Sequence, residues 1–354
     1  MKTVFIIAGG TGGHIFPSIA IGEQLSAIGI KPIFIVRRNI KDIQLVTQHG
    51  FQSLSIPASG FVGKNLIARL IFIVNFLKAM ILYPLLLKRH KPQAIIASGS
   101  FTSLVPVLWA IFGNRIFFLL EQNCIPGRFT KYFAHWAKEV YIGLPLKTKI
   151  KGNLIYTGNP LRSSIINALN KKDIAPKNKI LVLGGSQGAN FLTVNVIELA
   201  ARMPQLNFII QTGEKMLATA QKLVKTNNCE LIGFTPSPEE LYLKAKVVIS
   251  RAGGMVLSEI LFFGIPSILI PFPFATDNHQ RANAQFLAQN NAAIVIDQNR
   301  QQGISEKFIS QLQHNLQCLL ANENQLNTMS KNAKAISKAN AASVIAERIF
   351  RYLK

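Results

Sequence analysis

A chain of 354 residues is longer than one ordinary hydrophobic core supports and fits two domains. Its 49% hydrophobic content excludes a disordered chain, and a formal charge of +23, from 39 Lys and Arg against 16 Asp and Glu, calls for a polyanionic partner: nucleic acid, an anionic membrane surface or a phosphorylated substrate. Cys124, Cys229 and Cys318 lie far apart in no metal-ligand spacing, which excludes a disulfide framework and suits a reducing compartment.

In chain order, MKTVFIIAGG reads as a first strand, because its apolar run meets glycines too early for a signal peptide. Strands are predicted at 4–8, 32–36, 94–97 and 116–120, with a helix over 15–29. The segment 64–91 breaks this rhythm: six Lys or Arg residues and one His, with no acid, surround a dense apolar run. Arg69, Asn75, Lys78 and Pro84 interrupt it, and a charge at a bilayer centre costs roughly 2.5–3.5 kcal/mol. The segment is therefore expected to lie against a membrane without crossing it, with Lys64, Arg69, Phe72, Phe76, Lys78, Lys88 and Arg89 as contact candidates. A buried helix with snorkelling cations is the competing reading.

The second half restarts with KILVLGGSQGAN (179–190), the same strand, glycine turn and helix as the N-terminus. Strands follow at 207–210, 247–250, 267–270 and 293–296, and the chain is helical from Ser305 onward. Polar 171–179 is the natural linker. Alternating strands and helices predict an α/β protein with two Rossmann-like parallel sheets. The expected domains are 1–160 and 161–339, with a C-terminal helix at about 340–354 returning to the first.

Glycine turns that open helices present backbone N–H groups where about half a positive charge accumulates, a setting for phosphate. GGTGGH (9–14) and GGSQG (184–188) both have this form. Neither is a Walker A loop, because GGSQGAN lacks the Lys-Ser/Thr pair. The second strand ends in Val36-Arg37-Arg38 without an acid, which disfavours NAD and leaves NADP open through the arginines. A third strand–glycine–helix unit, ISRAGGMVLSEI (249–260), carries Glu259 early on its helix, placed either to accept ribose hydroxyls or to stabilise the helix dipole. PFPFATDNHQRANA (271–284) puts Asp277, Asn278, His279 and Gln280 at a strand's C-terminal end, the edge where open α/β sheets bind ligands.

Taken together, GGTGGHIFP, EQNCIPG (121–127), GNPLR (158–162), GGSQGAN, SRAGGMVLSEI and PFP…DNHQRANA resemble the MurG family over essentially the whole chain. That resemblance implies a GT-B fold whose two domains face each other across a cleft. It also implies transfer of N-acetylglucosamine from UDP-GlcNAc to undecaprenyl-diphospho-MurNAc-pentapeptide, lipid I, giving lipid II for peptidoglycan. For the donor it implies roles for Thr11, Gly12, Gly13, Asn123, Arg162, Ser186, Thr235 (through its backbone, at uracil), Glu259 (at ribose) and Gln280 (at GlcNAc). The second N-terminal glycine loop departs from the family's GGY-x-S-GP: SGSFTSLVP (98–106) stands there instead, which weakens the expectation of acceptor-diphosphate binding by that loop.

The resemblance further implies inverting displacement without cofactor or metal, and the sequence contains no Asp-x-Asp motif. His14 suits the role of base for the acceptor C4 hydroxyl, since an imidazole titrates near cytoplasmic pH, or it serves to orient the loop. The implied location is the cytoplasmic face of the inner membrane, held peripherally, with cell-wall enzymes as possible partners. A non-catalytic basic nucleotide- or membrane-binding module and a transferase acting on another lipid acceptor such as diacylglycerol are the rival readings. Nucleic acid is not expected, because the basic residues are spread out and not interleaved with aromatics.

Overall fold

The computed structural model describes residues 2–10, 12–59, 66–170, 177–184, 190–299 and 302–353. The chain forms two units, one of residues 1–162 with 339–354 and the other of 163–338.

The first unit holds seven parallel strands: β1 (Thr3–Ile7), β2 (Lys31–Arg37), β3 (Gln52–Ile56), β4 (Ala94–Ala97), β5 (Phe117–Glu121), β6 (Glu139–Ile142) and β7 (Leu154–Tyr156). Their order is β3-β2-β1-β4-β5-β6-β7, so the direction of winding reverses between β1 and β4. Near-continuous apolar runs such as VFII and AIIA are what a sheet covered on both faces requires. One face packs against the helix Gly12–Ala27, and the C-terminal helix Ala341–Tyr352 covers that helix and the same core through Ile345, Ala346 and Ile349. Arg348 and Tyr352 of this last helix hydrogen-bond the fully buried Glu139 of β6, which neutralises a carboxylate that is costly to bury alone.

The second unit holds β8 (Lys179–Leu183), β9 (Asn207–Gln211), β10 (Cys229–Ile232), β11 (Ala245–Ser250), β12 (Ser267–Leu269) and β13 (Ala293–Val295), in the order β10-β9-β8-β11-β12-β13. All pairs are parallel, and winding reverses between β8 and β11. The helix Glu306–Ala321 closes one face with Phe308, Leu312, Leu316 and Leu319 at helical spacing.

The first helix starts at Gly12 and ends at Ala27, three residues earlier than the periodicity suggests at its start, so Gly12 and Gly13 form its first turn. The segment 64–91 becomes one helix, Leu66–His90, that continues through Pro84. Ala79, Tyr83 and Leu87, four residues apart, bury one stripe of it against the first sheet. By length and composition the helix is apolar enough to cross a membrane, yet most of it is exposed on the protein surface. Its outward stripe is Ile67, Leu70, Val74, Leu77, Ile81 and Leu85, with Arg69, Lys78, Lys88 and Arg89 also exposed. Phe72 and Phe76 turn inward instead: both are half-buried, and they stack on each other at 6.1 Å. Lys64 lies outside the described residues.

Candidate functional site

In each sheet the motif residues follow the C-terminal ends of strands, the edge where open α/β sheets bind ligands, with the glycine turns after β1 and β11 at the winding reversals. In the first unit the chain leaves β1 through Gly9 and Gly10 into the helix at Gly12. Gly10 has φ +100°, a conformation that glycine adopts without strain, and a Cβ on Gly9 would come within 2.9 Å of Thr102 Oγ1. Asp42 braces this turn: its Oδ2 accepts from Gly10 N at 3.4 Å and from Arg37 Nε at 2.7 Å. Arg37 is thereby engaged by Asp42, which weakens the arginine argument for a nucleotide 2′-phosphate.

His14 follows in the same helical turn. Burial pushes its pKa below the usual histidine range, partly offset by the nearby Ser98 backbone, so the ring is neutral at pH 7. Its Nδ1 is buried without a hydrogen-bond partner among the described residues. The loop after β4 lies beside it, where Ser98 Oγ donates to Ile7 O at 3.1 Å and fixes the loop to β1. Beyond it, Ser100, Thr102 and Ser103 are buried, and none of their hydroxyls has a partner among the described residues. Buried polar groups normally find partners, so this cluster of orphaned atoms at the mouth of a sheet makes the loop a candidate ligand site. Ser100, Thr102 and Ser103 stand in this loop where the family has GGY-x-S-GP, so the departure in sequence puts hydroxyls in its place.

After β5, Glu121 organises the EQN loop. Its carboxylate accepts from Gly127 N at 2.9 Å, Thr130 Oγ1 at 2.8 Å and Asn123 N at 3.1 Å. Burial pushes the Glu121 pKa up, and these hydrogen bonds hold it back. Asn123 also donates its side-chain amide to Glu121 at 3.4 Å, so its orientation is set from below. Arg162, the last residue of this unit's main segment, is buried with its guanidinium 4.2 Å from the Phe16 ring, a cation–π contact with the glycine-loop helix.

The second unit builds its site from β11 and β12. Gly253 caps the helix Gly254–Phe263 with open space at its Cβ position, leaving that helix start accessible. Glu259, half-buried on this helix, accepts from Tyr242 Oη at 2.7 Å, which holds its carboxylate in place near the helix start. Gln280 Oε1 accepts from two backbone donors, Ala252 N at 3.2 Å and Phe272 N at 3.0 Å, and so ties the two loops together. Both partners are N–H groups, so the amide orientation is fixed and its NH2 points away as a donor. Asn283 Nδ2 donates to Ala252 O at 3.0 Å and completes the brace. Thr235 Oγ1 accepts from Ser237 N at 3.2 Å, which occupies its side chain within the turn and suits a main-chain role.

Arg251 is a residue that the sequence reading passed over. It is buried under the same loops, donating to Ile270 O at 3.1 Å and to Gln298 Oε1 at 2.7 Å, with Phe272 5.5 Å from its guanidinium carbon. Burial pulls its pKa down to about 10, still fully cationic at pH 7. An arginine directly after an apolar strand was the available signal. Thr11, within the first glycine turn, and Ser186, in GGSQG, lie outside the described residues.

Two parallel α/β units, each with a glycine turn and a ligand-ready edge at its winding reversal, define the architecture of a two-domain glycosyltransferase. The N-terminal domain of glycosyltransferase family 28 matches residues 4–142 and its C-terminal domain matches residues 179–349. The chain is 32% identical over 351 residues to the UDP-N-acetylglucosamine–N-acetylmuramyl-(pentapeptide) pyrophosphoryl-undecaprenol N-acetylglucosamine transferase of Nitrosomonas eutropha, covering 96% of each. It is also 32% identical over 373 residues to the transferase of that name from Leptospira interrogans, covering 99% of each. The crystal structure of Acinetobacter baumannii MurG superposes with a TM-score of 0.76 at 24% identity, covering 99% of this chain and all of that one. The chain belongs to the MurG family of glycosyltransferases.

Proposed function

We propose that this protein transfers N-acetylglucosamine from UDP-N-acetylglucosamine to the C4 hydroxyl of N-acetylmuramic acid in undecaprenyl-diphospho-MurNAc-pentapeptide, the lipid I to lipid II step of peptidoglycan synthesis. The near full-length match to transferases of that name carries the reading. Each motif of the resemblance that lies among the described residues stands at the ligand edge of its sheet, which supports it.

The second unit holds the donor. Glu259 accepts from the ribose hydroxyls, the backbone at Thr235 meets the uracil, and Gln280 donates its NH2 to a sugar hydroxyl. The helix start at Gly253 and Gly254, the GGSQG turn with Ser186, and Arg162 stabilise the diphosphate that leaves. Such preorganised donors are worth about 3 kcal/mol each in the transition state. Thr11, Gly12, Gly13 and Asn123 meet the donor sugar from the first unit, and the hydroxyls of Ser100, Thr102 and Ser103 meet the acceptor diphosphate.

In the reaction the C4 oxygen bonds to the anomeric carbon as the bond from that carbon to the UDP oxygen breaks. The hydroxyl proton passes to the imidazole of His14, which burial keeps neutral and able to accept it. UDP departs as a diphosphate held by backbone amides and arginine, so no step needs a metal. The exposed apolar stripe and cations of the Leu66–His90 helix rest on anionic lipid, placing the protein peripherally at the cytoplasmic face of the inner membrane, within reach of a lipid-bound acceptor and of other cell-wall enzymes.

The test is incubation with radiolabelled UDP-GlcNAc, in the presence of EDTA, and a panel of lipid acceptors that includes diacylglycerol and polyprenyl-diphospho-MurNAc-pentapeptide. Label is expected in the diphospho-MurNAc lipid alone. Label in diacylglycerol, or none in any lipid, overturns the reading.

A further inference from the structure

Asp277 and Asn278 take an uncommon backbone path into the helix His279–Gln289. Asp277 lies at φ 52°, ψ 21° and Asn278 at φ 56°, ψ 29°, two left-handed residues in succession, neither of them glycine. The other described non-glycine residues with positive φ, Lys91, Asn114, Asn291 and Asn299, stand singly. Lys91 and Asn291 follow the ends of helices, where one left-handed residue is routine. The pair at 277–278 instead precedes a helix, where the capping residue is ordinarily extended, as Asn39, Gly253 and Ser305 are in this chain. Unlike Asn39 and Ser305, Asn278 makes no side-chain capping hydrogen bond. The cap gains nothing from the Asn278 side chain, so the costly conformation is held for another reason.

What the pair secures is the direction in which the helix leaves the loop. Gln280 is the second residue of that helix, and its Oε1 reaches back to Phe272 N at 3.0 Å and across to Ala252 N at 3.2 Å. The chain between folds in two tight steps: Ala275 N donates to Phe272 O at 3.2 Å, and Asn278 N donates to Ala275 O at 2.9 Å. His279 Nδ1 donates to Thr276 O at 2.8 Å and holds the same turn from the helix side. An extended conformation at Asn278 would send the first helical turn off in another direction and carry Gln280 away from both amides. Asn and Asp are the side-chain-bearing residues that tolerate the left-handed region best, which is why this turn can be built without glycine.

We infer that Asn278, at the end of the left-handed pair, is a positioning residue for the donor sugar: its backbone conformation aims Gln280 at the two loop amides and so leaves the Gln280 NH2 facing the sugar. This rests on the donor role given to Gln280 above and adds the residue that sets it. Asn278 acts through Gln280 and not by contact with the reacting groups. The nucleotide half of the donor is assigned to Glu259 and to the backbone at Thr235, which stand on other elements. Loss of the turn is therefore felt by the sugar and not by the nucleotide.

The test titrates the full chain with UDP-GlcNAc and with UDP in calorimetry, as wild type, Asn278→Val, Asn278→Gly, Gln280→Ala and the double variant of Asn278→Val with Gln280→Ala. Valine, branched at Cβ, is strained in the left-handed region, whereas glycine adopts it freely. Asn278→Val is expected to weaken UDP-GlcNAc binding about tenfold and to leave UDP binding within about twofold, the loss of one well-placed hydrogen bond. Asn278→Gly is expected to bind both ligands within about twofold of wild type, since the turn is kept. In the Gln280→Ala background valine is expected to cost nothing further, because the group it misplaces is already gone. Where the valine variant melts below the assay temperature, Asn278→Ala carries the same expectation at about threefold. A valine variant that binds UDP-GlcNAc as wild type does, or weakens UDP equally, overturns the positioning role. So do a glycine variant as damaged as the valine one and penalties that add in the double variant. Gln280→Ala binding UDP-GlcNAc as tightly as wild type overturns instead the sugar contact of Gln280, and the inference falls with it.

Discussion

The two ligand edges of the molecule are finished to different degrees. In the second unit Gln280, Asn283, Arg251 and Glu259 each spend part of their hydrogen-bonding capacity on the protein. In the first unit His14 Nδ1 and the hydroxyls of Ser100, Thr102 and Ser103 are buried with no partner among the described residues. A wired edge binds with little reorganisation, which suits a donor that must be held in one pose. An edge with orphaned polar atoms carries a desolvation cost of about 1–3 kcal/mol for each group, repaid when a ligand arrives. Under the function proposed above, the difference amounts to a division of labour: the second unit is preformed for the nucleotide-sugar, and the first is completed by its acceptor.

Variants on the two sides therefore fail differently. The largest effect is expected for His14→Ala, which removes the base and lowers turnover by about 10²–10⁴-fold while UDP affinity stays within threefold. Turnover within a few-fold of wild type in a steady-state assay would show that His14 only orients the loop. Glu259→Ala is next: loss of a charged hydrogen-bond acceptor at the ribose weakens UDP binding by about 10–100-fold in calorimetry, with the acceptor KM unchanged. Thr102→Val keeps the shape and removes one hydroxyl, and is expected to raise the acceptor KM by about threefold to tenfold, leaving donor binding alone. A matched rise in the donor KM would erase the distinction between the two edges. The smallest change is expected for Tyr242→Phe, which frees Glu259 from one hydrogen bond and shifts UDP affinity by about threefold or less.

Much of the central sheet was legible in the sequence, because buried parallel strands are short apolar runs. VFII, AIIA, FFLL and ILVL announce themselves. The unforeseen strands are β3 (QSLSI), β7 (LIY) and β10 (CELI), all at sheet edges where one flank is open and polar residues are tolerated, together with β6 (EVYI). β6 hides because its buried Glu139 reads as a surface residue until Arg348, 209 positions later, neutralises it. The site was legible as glycine turns at strand ends, but its wiring was not. Nothing in a linear pattern says that Gln280 turns its oxygen toward Ala252 and Phe272, that Arg251 sits beneath both loops, or that Arg37 is taken by Asp42. Phe72 and Phe76 were expected to face lipid because they sit in the apolar run; helical phase and the neighbouring loop 101–105 turn them toward a crevice.

That the acceptor side drives the chemistry through a neutral, buried imidazole is tested most directly by the pH dependence of kcat/KM. Burial lowers the His14 pKa, so the folded protein favours the unprotonated ring and its activity is lost only as pH falls below the ordinary histidine value of 6.5. The account predicts an acid limb centred below 6.5 in the wild type that is absent from the residual activity of His14→Ala. An acid limb of the same midpoint in both proteins would contradict it.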